Sequence, residues 1–179
     1  KILCGNDALE PPTALATTAT VTTTGNFAIT FVSGFAYVYG ILFSSGTGES
    51  GAADLLIGTS TSVRKAFVFD NCKFTIPSTS TIAPFGIGRV AGVIDDVIKL
   101  INPVFKFGAI TTINLNGGRI HIINMSLDVA GSIPATLFTV NAFPGRVLIE
   151  SSNLSDRAFT NLVNVTDTVD TQITIRNTK

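Results

Sequence analysis

The stretch Gly118-Arg119-Ile120-His121-Ile122-Ile123-Asn124-Met125-Ser126-Leu127-Asp128 holds the only histidine of the chain. His121 beside Asn124, Ser126 and Asp128 suggests a catalytic constellation, but the same residues also form a pattern. Ile120 and Ile122 alternate with His121 and Ile123, the two-residue period of a strand with one buried face. A small polar residue, Asn124, follows, and an apolar one, Leu127, comes three positions later. The frame is therefore apolar-x-apolar-x-Asn-x-x-apolar.

That frame recurs. It fits Phe67-x-Phe69-x-Asn71-x-x-Phe74, Ile98-x-Leu100-x-Asn102-x-x-Phe105 and Val147-x-Ile149-x-Ser151-x-x-Leu154, and begins again at Ile173-x-Ile175-x-Asn177. A weaker copy starts at Ile41-x-Phe43-x-Ser45. The starts at 41, 67, 98, 120, 147 and 173 lie about 26 residues apart on average, within the range of solenoid coils. A lengthened loop is expected before Ile98 and a shortened one after it. A second register runs between the copies at Ile113-Asn114-Leu115, Phe138-Thr139-Val140 and Val163-Asn164-Val165, so each repeat holds at least two short strands and leaves no room for an ordinary helix.

A single strand-turn-strand unit cannot bury its own apolar face, whereas stacked copies can. Parallel stacking sets equivalent side chains about 4.8 Å apart, so the polar position becomes a ladder of Ser45, Asn71, Asn102, Asn124, Ser151 and Asn177. Asparagine suits such a bend because it tolerates left-handed backbone angles and bonds to neighbouring polar groups. On these residues, and on the coils "FVFDNCKF", "IHIINMSL" and "VLIESSNL", the chain resembles a right-handed parallel β-helix of the pectate-lyase-like type. The expected fold is all-β: an extended Thr-rich entry or cap segment over 1–40, then a single-stranded parallel β-helix over 41–179.

Composition agrees with a packed solenoid. Hydrophobic residues make up 45% and charged ones 13%, which excludes a disordered tail. Lys and Arg balance Asp and Glu at 12 each, so net charge gives no reason to expect nucleic acid. Low charge with positive hydropathy points to a membrane protein or to a surface hidden in an assembly. The membrane candidate, Phe27 to Phe43, is shorter than the roughly 20 apolar residues of a span, and its Phe, Val, Tyr and Ile content favours strands. Lys1 in first position, with no leader pattern after it, points to a processed or partial product.

With frame positions one and three facing inward, position two faces out. His121 is then the counterpart of Leu42, Val68, Lys99, Leu148 and Thr174, and this partly apolar outer row, Leu42, Val68, His121, Leu148 and Thr174, is expected to meet another subunit. Asp95 and Asp96 are the enzymatic alternative, because glycosidases of the β-helix fold place carboxylates on adjacent coils. The pair resembles one element of polygalacturonases, and with Lys99 it would define a secreted polysaccharide lyase or hydrolase. The other polygalacturonase motifs are missing, and neighbouring residues on a strand point apart. No cofactor or metal is expected. Cys4 and Cys72 are too few for a disulfide framework, and the dispersed carboxylates Asp54, Asp70, Glu150, Asp156, Asp167 and Asp170 have no calcium-loop spacing.

The resemblance extends to phage tailspikes, tail fibres and capsid decoration proteins, which use trimeric β-helical stalks. It implies a structural component of a virion surface, a homotrimer contacting other virion proteins and a host cell-surface glycan, without a membrane span.

Overall fold

The computed structural model describes residues 2–3, 16–25, 27–46, 55–58, 65–76, 85–88, 96–108, 112–140, 145–155, 157–166 and 171–179. Among them the chain forms strands and turns and no helix. The strands come in groups of three. The first group is β1 (Ile2–Leu3), β2 (Ala19–Thr22) and β3 (Ile29–Phe31). The second is β4 (Gly34–Tyr39), β5 (Ile41–Ser44) and β6 (Leu55–Ile57). Next come β7 (Lys65–Asp70), β8 (Lys73–Ile76) and β9 (Phe85–Ile87), then β10 (Val97–Ile101), β11 (Val104–Phe107) and β12 (Ile113–Leu115). The last are β13 (Gly118–Ile123), β14 (Ser126–Leu127) and β15 (Thr136–Val140), followed by β16 (Gly145–Glu150), β17 (Asn161–Val165) and β18 (Gln172–Arg176).

Through β16 every third strand stacks on its counterpart, whereas β17 stacks on β15 and β18 on β16. The first sheet runs β1-β4-β7-β10-β13-β16-β18, the second β14-β11-β8-β5-β2 and the third β17-β15-β12-β9-β6-β3, and every pairing is parallel. The chain is therefore an all-β parallel solenoid. The frame copies starting at Phe67, Ile98 and Ile120 span two sheets: the alternating part lies in the first, and the closing apolar residue (Phe74, Phe105 or Leu127) lies in the second. The register between copies is the third.

Strict in-register stacking turns each inward position into a column. Phe67, Ile98, Ile120, Val147 and Ile173 form one, and Phe69, Leu100, Ile122, Ile149 and Ile175 the next. In the second sheet Phe43, Phe74 and Phe105 stack nearly face to face, with ring centroids 5.6 and 5.5 Å apart and planes tilted by 15° and 22°. Each of these rings is buried. Burial of one such side chain contributes about 1.5–3 kcal/mol, so the columns are the main source of stability.

Two boundaries differ from the sequence expectation. Ala36-Tyr37-Val38 of β4, not Ile41-Leu42-Phe43, aligns with Phe67-Val68-Phe69. Ile41–Ser44 is β5 of the second sheet, where Leu42 aligns with Lys73 and Phe43 with Phe74. Apolar alternation runs through Gly40 from one strand to the next, so alternation alone cannot tell the sheets apart. The corner-to-corner separation is then 31 residues from Gly40 to Asn71 and again from Asn71 to Asn102, followed by 22 to Asn124. Two long coils thus precede the short one, rather than a single lengthened loop. Stacking also starts ahead of residue 41, since β2, β3 and β4 pair with β5, β6 and β7. The apolar stretch Phe27 to Phe43 is accordingly made of strands, and among the described residues no helix is long and apolar enough to cross a membrane.

Candidate functional site

The corner between the first and second sheets is where the repeat is strongest. Asn71, Asn102, Asn124, Ser151 and Asn177 all have positive φ, between 49° and 56°. An L-residue in this region pays for its Cβ, and asparagine pays less than most because its short amide bonds locally. The first four corner N–H groups donate to the carbonyl of the next coil: Asn71 to Ile101, Asn102 to Ile123 and Asn124 to Glu150 at 2.9 Å, and Ser151 to Arg176 at 3.1 Å. Side chains add a second rail, with Asn102 Nδ2 donating to Asn71 Oδ1 at 3.2 Å and Asn124 Nδ2 to Asn102 Oδ1 at 2.8 Å. Ser45 is not at this corner. It follows β5, and Gly40 (φ 71°) takes the equivalent place, donating its N–H to Asp70.

The opposite end of the first sheet is built differently. Gly34, Lys65, Asp96, Gly118 and Gly145 stack at one inward level. Lys65 Nζ lies 2.6 Å from Asp96 Oδ2, with the two side chains only 1% and 3% exposed. The Lys65 N–H donates to Asp96 Oδ1 at 3.1 Å, so both carboxylate oxygens are occupied. A Cβ at Gly118 would sit 3.0 Å from the Asp96 carbonyl oxygen, which explains the glycine beside this pair.

Asp96 is thus committed to the solenoid interior. Lys99, three residues on, projects from the outer side of β10, in register with Val68 and His121. The two side chains therefore lie on opposite sides of the sheet, and Asp95 lies outside the described residues. The enzymatic alternative has no converging pair among the described members of its set.

The outer side of the first sheet carries three columns. The middle one is Tyr37, Val68, Lys99, His121, Leu148 and Thr174, so Tyr37 stands where Leu42 was expected. Val68, His121 and Leu148 are half-buried and Thr174 is exposed, while Leu42 projects from the second sheet. His121 Nε2 lies 2.7 Å from Glu150 Oε1, and Arg176 holds the other oxygen through Nε at 2.7 Å and a terminal nitrogen at 2.6 Å. The His121 hydrogen bond, seconded by Arg176, holds the Glu150 carboxyl below its usual value. At the other end, Tyr37 donates its hydroxyl proton to Asp70 Oδ2 at 2.7 Å, and this bond first, then burial, pushes the phenol up to about 12.

The remaining groups are structural in placement. The Cys72 thiol is buried and raised by desolvation, while Cys4 lies outside the described residues. Lys73 pairs with Asp128 across two coils and lowers its carboxyl. Among the described residues no three His, Cys, Asp or Glu side chains converge on a point that could hold a metal ion. Asp54, Asp156, Asp167 and Asp170 lie outside them.

The sequence frame missed Arg119 and Arg146, which face outward in register with each other. Each stands one position ahead of a frame start, Ile120 and Val147, so a frame longer by one residue would have exposed the pair. Comparison with known proteins yields no match: no family model, curated protein or solved structure is significantly similar to this chain. The class defined by fold and site is a parallel β-solenoid with a laddered corner and a patterned outer face.

Proposed function

We propose that the chain is a structural component of a virus-particle surface, a tailspike, tail-fibre or capsid decoration subunit. In this reading it assembles as a homotrimer, sits among other virion proteins and contacts a host cell-surface glycan. One observation supports it most. The outer side of β4 and β7 presents Phe35, which is 77% exposed, with Tyr37, Tyr39, Ala66 and Val68 around it. An aromatic and aliphatic patch on a rigid rod, bordered at the corner edge by Asp70, marks an interaction surface. The inward columns and the corner rails supply the rigidity, since backbone groups pair along the whole stack.

Light scattering on the purified chain tests the assembly. A trimer is expected, and Phe35→Asp is expected to dissociate it while leaving the β-sheet circular dichroism signal in place. A stable monomer at high concentration would overturn the assembly, and absence of the protein from purified particles would overturn the location.

A further inference from the structure

The coil of β17 and β18 holds a cleft of about 440 Å³. Its apolar walls come from Leu154, Phe159, Leu162 and Ile175, and its two charged residues, Arg157 and Lys179, are both cations. Backbone seams fix these walls. The Leu154 N–H donates to the Lys179 carbonyl at 2.7 Å and the Lys179 N–H to the Ser152 carbonyl at 3.0 Å, tying the segment after β18 to the segment after β16. The Arg157 N–H donates to the Leu154 carbonyl at 3.1 Å, a tight turn that sets both residues in the cleft wall. Two observations set this place apart from the rest of the core. Ile175 continues the column of Ile122 and Ile149, yet it is 42% exposed where Ile149 is fully buried. One terminal guanidinium nitrogen of Arg157, Nη2, is itself buried and meets no hydrogen-bond partner. Among the described residues no carboxylate pairs with Arg157.

We propose that the cleft binds a small amphipathic anion, a molecule with a carboxylate head and an apolar body. A buried polar atom without a partner is costly, more so on a cation, and a ligand that supplies the missing acceptor accounts for its placement. A carboxylate matches a guanidinium through two parallel N–H···O bonds. The apolar body lies against Phe159, Leu162 and Ile175, removing from water the surface that this coil leaves open. An apolar hollow with a few convergent polar groups is the general design of small-molecule sites. A cationic ligand is a poor occupant beside Arg157 and Lys179, and a wholly apolar one leaves the guanidinium nitrogen unsatisfied. The site stands apart from the virion reading, because its walls come from one chain and β18 and β4 lie near opposite edges of the first sheet.

The test titrates the full chain by calorimetry with three probes, octanoate, octylamine and acetate, each kept below any micelle-forming concentration. Octanoate is expected to bind at one site per chain and to raise the melting temperature, whereas octylamine and acetate do neither. Arg157→Met keeps the length of the side chain and removes its charge, and should weaken octanoate about tenfold, the loss of one charge-assisted hydrogen bond. Lys106→Ala, on the outer side of the second sheet, should leave binding unaltered. Circular dichroism verifies that the variants fold. Should Arg157→Met fail to fold, Arg157→Lys takes its place, with a smaller loss expected because the charge stays and the two-pronged donor goes. No octanoate binding overturns the proposal, as does octylamine bound equally tightly, which makes the cleft an apolar surface indifferent to charge. Acetate bound as tightly as octanoate overturns it too, as do equal losses in Arg157→Met and Lys106→Ala. Octanoate that binds only by displacing a second copy overturns it in favour of a contact between chains.

Discussion

The two ends of the first sheet solve the same problem, turning a chain into and out of a stacked coil, in opposite ways. At the exit corner every coil from β7 onward uses an Asn or Ser at positive φ, and from Asn71 to Ser151 its N–H reaches the next coil. At the entry, Gly34, Lys65, Asp96, Gly118 and Gly145 share a level, and only two of them carry long side chains. The exit corner divides its work among many weak, equivalent bonds, each partly open to water. The entry concentrates it in one desolvated ion pair. Damage should accordingly be graded and local at the exit, and abrupt at the entry.

The largest expected effect is at the entry. Asp96→Ala strands the Lys65 ammonium in an apolar interior and should cost about 3–5 kcal/mol in urea unfolding. The pair replaced together, Lys65→Met with Asp96→Leu, should recover most of that loss, because no charge is left unpaired. A mild Asp96→Ala would break the contrast between the two ends.

At the exit, Asn102→Ala should cost about 1–2 kcal/mol, from a Cβ held at φ 49° without amide compensation. Asn102→Gly should cost clearly less, because glycine removes the backbone strain and forfeits only the side-chain rail. Equal losses for the two variants would show that the rail, not the backbone angle, carries the corner.

Smaller still are the effects of the solvated partners just ahead of the corner. Glu150 has its carboxyl lowered in the folded state from an ordinary 4.5. Its contribution is therefore present above that value and fades as pH falls through the folded one. Glu150→Gln should flatten the acid limb of a melting-temperature profile in that window and change little at neutral pH. Tyr37 has the opposite sign. With its phenol raised from 10.0 to about 12, its contribution is complete below 10.0 and lost as pH climbs through about 12. Ultraviolet titration should report this, and Asp70→Asn should return the phenol toward its ordinary range.

The contrast also explains what could be read in advance. The exit corner was legible because its chemistry repeats: five Asn or Ser positions share one backbone conformation, and the flanking apolar pairs repeat with them. The stacked fold followed, since such units must share a core. The entry was illegible because it occurs once. Nothing in "GVIDDVIKL" tells that Asp96 turns inward to a lysine 31 residues earlier, and alternation made its neighbour Asp95 look equally eligible. Ser45 and Leu42 were misplaced for a related reason. Gly40 occupies the corner without a side chain, so the frame slid forward to the next polar residue. Arg119 and Arg146 escaped notice because they lie one position ahead of the frame.

The buried ion pair has one more consequence, for how the coils recognise one another during folding. A solenoid of near-equivalent modules is prone to pairing each coil with the wrong neighbour, because apolar columns of Phe, Ile, Leu and Val accept one another with little discrimination. Lys65 and Asp96 do not. A chain that skipped a coil would set Lys65 beside Gly118, burying an ammonium with no carboxylate against it. The correct neighbour is the stacking in which both charges vanish from the ledger of unpaired groups. Two residues in the middle of the stack thus act as a serial number, telling this coil from the others where the repeated corner cannot.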